Sequence, residues 1–173
     1  MKKKNRLAII ITSVLIVIAI ILIWNNRYLS TLGGDAYDFT VRDTASVTRL
    51  FFADKSGNQV LLTRTSEGWK VNDKYDAQPV MVNNMRYTLD KMIIKMPVSV
   101  ATHDNVIKRM AGTNTKVEVY QIVPRINLFN KIKLFPHEKR TEVFYIGDVT
   151  QDNTGTYVLK EGSDKAFIVH LHG

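Results

Sequence analysis

The chain has no cysteine, only four prolines and four histidines among its 173 residues, and no glycine-rich phosphate loop. The missing thiols exclude disulfides, thiolate metal centres, cysteine nucleophiles and a lipid-modified N-terminal cysteine together. Neither a P-loop nor a G-x-G-x-x-G pattern occurs, so nucleotide binding has no motif behind it. G-x-S-x-G and S-x-x-K are absent as well, which leaves serine catalysis without a recognisable nucleophile and base. What remains is a chain of 45% apolar and 23% charged residues. That composition can build a core, and the length suits a single domain.

The apolar content is concentrated at the start. Leu7 to Trp24 is an 18-residue run broken only by Thr12 and Ser13. As a helix it would be roughly 27 Å long, close to the ~30 Å hydrocarbon thickness of a bilayer. The two hydroxyls are tolerable there because each can bond back to a carbonyl in the preceding turn. Lys2, Lys3, Lys4 and Arg6 precede the run, and only Arg27 follows it closely. This bias places the N-terminus in the cytoplasm and everything after Trp24 outside, with Trp24 and Tyr28 suited to the outer interface. A cleaved secretory signal would carry a shorter apolar core, about 7–15 residues, and a small-x-small cleavage site. The sequence WNNRY at 24–28 supplies no such site.

The segment therefore reads as an uncleaved anchor. Residues 1–6 are expected to be a cytoplasmic basic tail, 7–24 a transmembrane helix, 25–38 a linker, and 39–173 a periplasmic domain. The net charge of +8 changes meaning accordingly. Four basic residues belong to the first 24, and the rest carries 20 Lys and Arg against 16 acids. That surplus is ordinary for a folded domain and gives no reason to expect nucleic-acid binding.

Residues 39–173 read as α+β: a mostly antiparallel sheet with one main packing helix and the helices on one side. Runs at 46–53 and 59–65 flank the turn-forming Asp54-Lys55-Ser56-Gly57-Asn58 and predict a hairpin, with Trp69 to Val71 as a third strand. Over 76–95, Val82, Met85, Leu89, Met92 and Met96 recur at helical spacing, with Pro79 placed to open the helix and Pro97 to end it. A short strand at 98–101 and a brief helix at 105–110 follow. Strands are then expected at 115–123, closed by Pro124, and at 126–135, 140–146, 157–160 and 166–171, with a turn at 136–139.

No constellation carries chemistry, so no catalytic residue, cofactor or metal is expected. His170 and His172 would share one strand face, but a zinc site needs further ligands that the spacing does not supply. The acids of GDVTQDNTG lack calcium-loop spacing and read as a polar turn. The unusual segment is 125–140, with Arg125, Lys131, Lys133, Lys139 and Arg140 against the single acid Glu138, and with Phe129 and Phe135 interleaved. Arg125, Phe129, Lys131, Lys133 and Phe135 are the candidate interaction surface, facing anionic lipid or a partner strand. The alternative is an edge hairpin whose lysines block strand-to-strand association.

Three stretches carry a family resemblance: VTRLFFADKSGNQVLLTRTSEGWKVN, VNNMRYTLDKMI and VFYIGDVTQDNTGTYVLKEGSDKAFIVHLHG. Together they resemble a bacterial domain family of unknown function found in Bacteroidota as membrane-anchored proteins. A related domain occurs in auxiliary proteins of a gliding-motility ABC transporter. The resemblance covers most of the chain outside the anchor, is weakest over 125–139, and implies an envelope or accessory role without assigning any functional residue. Members of that family continue past the last strand, so the sequence is expected to be a fragment of a longer protein. The expected function is a non-enzymatic binding or assembly module on the inner membrane, with the bilayer and an envelope protein as partners. The alternative is an accessory subunit of an ABC-type transporter or gliding-motility system that binds or presents a small substrate.

Overall fold

A computed structural model describes the backbone of residues 2–28, 39–128 and 132–171, and the side chains in those ranges except at 2–5, 7, 8, 22–28 and 128. By Cα proximity the chain divides into two compact units, Met1–Gly34 with Pro124–His137, and Asp35–Val123 with Glu138–Gly173.

In the first unit, helix α1 spans Lys2–Tyr28. Every side chain described between 9 and 21 is exposed. The Ser13 hydroxyl donates to the Ile10 carbonyl at 2.9 Å, which removes its unsatisfied donor from the apolar surface. Among the described residues no helix is long and apolar enough to cross a membrane. The expected linker at 25–38 lies largely outside the described residues, as do the side chains of Trp24 and Tyr28.

The second unit holds most of one nine-stranded sheet. Its strands are β1 (Val47–Ala53), β2 (Gln59–Thr65), β3 (Gly68–Val71), β4 (Tyr75–Asp76), β5 (Met92–Pro97), β6 (Thr115–Leu128), β7 (Ile132–Val149), β8 (Thr156–Lys160) and β9 (Ala166–Leu171). They lie in the order β4-β3-β2-β1-β6-β7-β8-β9-β5. Two meanders meet at the β1–β6 pair, where Leu50 faces Val119 and Phe52 faces Val117. The first meander leads the chain outward to β4. Helix α2 (Pro79–Lys91) then leads to β5 at the opposite edge, antiparallel to β9, and helix α3 (Val100–Thr113) leads back to β6 in the middle. The described pairings are antiparallel.

Strand alternation sends successive residues to opposite faces, and both faces are covered. On one face Phe144, Val158, Phe167 and Val169 join Leu50, Val119, Phe39 and Leu89 of α2 in the larger core. On the other, Tyr145, Tyr157, Leu159 and Ile168 pack against Val106 and Met110 of α3. Phe39 stacks on Phe144 with ring centroids 5.8 Å apart and meets Phe167 edge-on at 5.5 Å, geometries that favour aromatic pairs. Close packing at one strand start explains a glycine. A Cβ on Gly155 would lie 2.5 Å from Ile168 Cγ2 and 2.8 Å from the Val169 carbonyl oxygen, and that backbone cannot yield.

The α+β class and the antiparallel sheet stand; several local expectations are corrected. The helices occupy opposite faces, not one side, and α3 is as substantial as α2, so there is no single main packing helix. Helix α2 ends at Lys91, and Met92 and Met96 belong to β5. The methionine spacing continued a helical period, but Ile93 and Ile94 pair with His170 and Val169 of β9, and β-branched residues fit that pleated surface. Val100 and Ala101, expected in a strand, begin α3. Pro124 does not close β6, and Pro136 does not make a turn, because both sit within long strands. The β1–β6 pairing reaches only Gln121 and the described β7–β8 pairing starts at Phe144, so neither proline removes a donor from those ladders.

The β7–β8 connection is a hydrogen-bonded polar turn. The Thr150 hydroxyl donates to Asp152 Oδ1 at 2.5 Å, the Thr154 hydroxyl donates to Oδ2 at 2.7 Å, and the Thr154 N–H donates to Oδ1 at 3.2 Å. These donors, the Thr150 hydroxyl first, hold the Asp152 carboxyl down at about 2, below its ordinary 3.8. A depressed carboxylate contributes stability above its unfolded value and loses it as pH falls through its folded value. Stability should therefore decline from about pH 4 towards about pH 2, and Asp152→Asn should flatten that decline. Denaturant midpoints measured across this window check it; an unchanged acid slope in the variant refutes it.

Candidate interaction surface

Strand β6 shows how one alternating sequence builds two unlike surfaces. Val117 and Val119 enter the larger core, while Lys116, Glu118 and Tyr120 take the other face. Glu118 is buried despite its charge. Lys116 Nζ lies 2.5 Å from Glu118 Oε1, Arg140 Nη1 donates to the same oxygen at 3.3 Å, and the Tyr120 hydroxyl donates to Oε2 at 2.7 Å. Burial pushes the Glu118 carboxyl up, but Lys116, Tyr120 and Arg140 outweigh it and hold the group below the usual carboxylate range.

The network extends in two directions. Arg140 Nη2 reaches Glu161 Oε2 at 3.1 Å. Arg49 pairs with Glu138 and lies over the Tyr120 ring, 4.5 Å from its centroid, and the Thr48 hydroxyl donates to Glu138 at 2.5 Å. Three cations (Arg49, Lys116, Arg140) meet three glutamates (118, 138, 161), so the cluster neutralises itself. Its chemistry is cross-strand cohesion: it ties β1, β6 and β7 together on the face that α3 leaves open. Sequence reading missed this cluster. The period-2 spacing of Lys116, Glu118 and Tyr120 was the available signal, but their partners come from β1 and β7, which no local pattern joins to them.

The histidines have local roles. His103 Nε2 accepts the Ala166 N–H at 3.3 Å and so pins α3 to β9. His170 stands opposite Ile93 in the β5–β9 pair, and His172 lies outside the described residues. Among the described residues no group of three or more His, Cys, Asp or Glu is placed to hold a metal ion.

The five candidate surface residues are only partly described. Arg125 on β6 and Lys133 and Phe135 on β7 are exposed, whereas Phe129 and Lys131 lie outside the described residues. Ile132 and Leu134 are exposed beside them. Among the described residues no acid pairs with Arg125 or Lys133, because Glu138, the one acid of the segment, is engaged by Arg49 and Thr48. Phe135 has φ of +55°, a left-handed conformation that a bulky aromatic seldom adopts. It breaks the pleat at that point.

The sheet edges are β4 and β5, while β6 and β7 are interior strands where they pair with β1 and β8. The edge-hairpin alternative for the lysines stays open: no described β1 or β8 pairing reaches 124–139. The chain matches no protein-family model, no curated protein and no solved structure.

Proposed function

We propose that this is a single-pass protein of the cytoplasmic membrane, N-terminus inside, whose α+β domain serves as a non-enzymatic binding or assembly module on the periplasmic side. The observation that carries the reading is the all-round apolar exposure of α1. Ten large aliphatic side chains between Ile9 and Ile21 are exposed, from 45% to 67%, on every side of the helix. In water a helix apolar on all sides has no stable place, whereas lipid solvates it. The sequence continues the run to Trp24 and sets four basic residues before it, the arrangement that retains an N-terminus in the cytoplasm.

The reading of the domain as a binding module is supported by the exposed Arg125, Lys133 and Phe135, no described acid pairing with either cation. The buried Glu118 and the partly buried His103 are both satisfied by neighbours that hold strands and helices in place.

Protease added to intact spheroplasts should remove the domain and leave an N-terminally tagged fragment containing α1. An amine-reactive crosslinker in the same spheroplasts should give one reproducible adduct of higher mass. A domain that survives until lysis would overturn the topology. A chain that never crosslinks would overturn the binding role.

A further inference from the structure

We propose that the described residues on either side of the tip of the β6–β7 hairpin, 124–127 and 132–136, form a lipid-docking element. It would lie on the anionic phospholipid headgroups of the same bilayer that α1 enters. The inference rests on the membrane-anchor reading given above and adds a second point of attachment to it.

Three observations converge. Residues Pro124–His137 fall into one compact unit with Met1–Gly34, which contains α1. These residues include Arg125 and Lys133 and neither Asp nor Glu, and among the described residues no acid pairs with either cation. Its apolar side chains are exposed: Ile132 at 53%, Leu134 at 41% and Phe135 at 66%. In β7 the alternation places Ile132 and Leu134 on one face and Lys133 on the other. The positive φ of Phe135, followed by Pro136, interrupts that alternation.

Exposed aliphatic and aromatic groups interleaved with unpaired cations match the boundary between headgroups and acyl chains. There the rings and aliphatic groups leave water while lysine and arginine meet lipid phosphate. An anionic leaflet favours each nearby cation by about fivefold in the docking equilibrium. A single loop would dock weakly on its own, and anchorage through α1 makes its docking intramolecular. A partner strand is the competing occupant, but it would be recognised through backbone edges and side-chain pockets, which do not require that the charged residues all be basic.

The absence of cysteine makes a direct test simple. The full chain carrying Phe135→Cys, labelled with an environment-sensitive fluorophore, is reconstituted into vesicles of phosphatidylcholine alone or mixed with phosphatidylglycerol. A second chain carries the same label at Ser56→Cys, in the β1–β2 turn. Docking predicts blue-shifted emission and protection from aqueous iodide at 135 only in the anionic vesicles, with the label at 56 quenched in both. Lys133→Gln should lower the docked-to-undocked ratio about fivefold. A label at 135 quenched as fully as that at 56 in anionic vesicles overturns the proposal, and a protein partner is then the occupant. Equal protection in both vesicle types also overturns it, since anionic headgroups would play no part. Alkaline washing of the same vesicles separates the two readings. Retained chain with a quenched label at 135 refutes docking alone. Chain stripped by alkali, with a label at 135 that had been protected before the wash, refutes the anchor and supports docking.

Discussion

Replacing Ile16 and Ile20 together by aspartate should move the chain from the alkali-resistant membrane fraction into the soluble or aggregated fraction. Both side chains are exposed at mid-helix in α1, and an isoleucine at the centre of a span would favour insertion by about 0.3–0.6 kcal/mol. An aspartate at the centre of a span opposes insertion by about 2.5–3.5 kcal/mol, so the pair should shift the equilibrium by about 6–8 kcal/mol. That is about four to six orders of magnitude, about 1.4 kcal/mol to each factor of ten. The double variant with leucine at both positions should remain membrane-bound. Carbonate extraction followed by immunoblotting reads the partition. If the aspartate variant pelleted as completely as the parent, α1 would not be the anchor, and the membrane reading of the whole chain would fall with it.

The second large effect is expected in the sheet. Phe144 is fully buried where β7 crosses the larger core, with Phe39 stacked on it. Truncation to alanine removes the ring's burial and leaves a space that Phe39, Phe167 and Val158 can fill only by moving, so Phe144→Ala should destabilise the domain by about 3–5 kcal/mol. A domain of ordinary stability, about 5–15 kcal/mol, would lose a large share of it. The contrast is Phe135→Ala, an exposed phenylalanine nine positions earlier on the same strand, expected to change stability by no more than about 0.5 kcal/mol. Urea titration of the full chain in mild detergent measures both. Equal losses at the two positions would show that the burial assigned to Phe144 is wrong.

How legible the fold was depends on where each element's partners come from. The β1–β2 hairpin was readable because Asp54 to Asn58 closes it locally. The Asp54 carboxylate accepts the backbone N–H groups of Ser56 and Asn58, and the register follows from Ala53 facing Gln59. The β8–β9 hairpin was readable for the same reason. At 92–97 the residues satisfied a helical period and a β-propensity equally well, and pairing with β9, some seventy positions later in the chain, decided between them. The candidate surface was half legible. Its cations and aromatic residues stood out in the sequence, but not the fact that Arg140 and Glu138 belong to another network, leaving Arg125 and Lys133 without acids.

Composition and order alone determined the α+β class, the apolar N-terminal helix with its basic prefix, and the local hairpins, because each depends on interactions between residues near one another in the chain. Tertiary structure decided that β5 is the far edge of the sheet, that α2 and α3 cover opposite faces, and that Glu118 is buried beneath Lys116 and Arg140. Those outcomes rest on pairings between segments far apart in sequence. A side chain's neighbours, and therefore its charge balance and exposure, exist only once such segments have met.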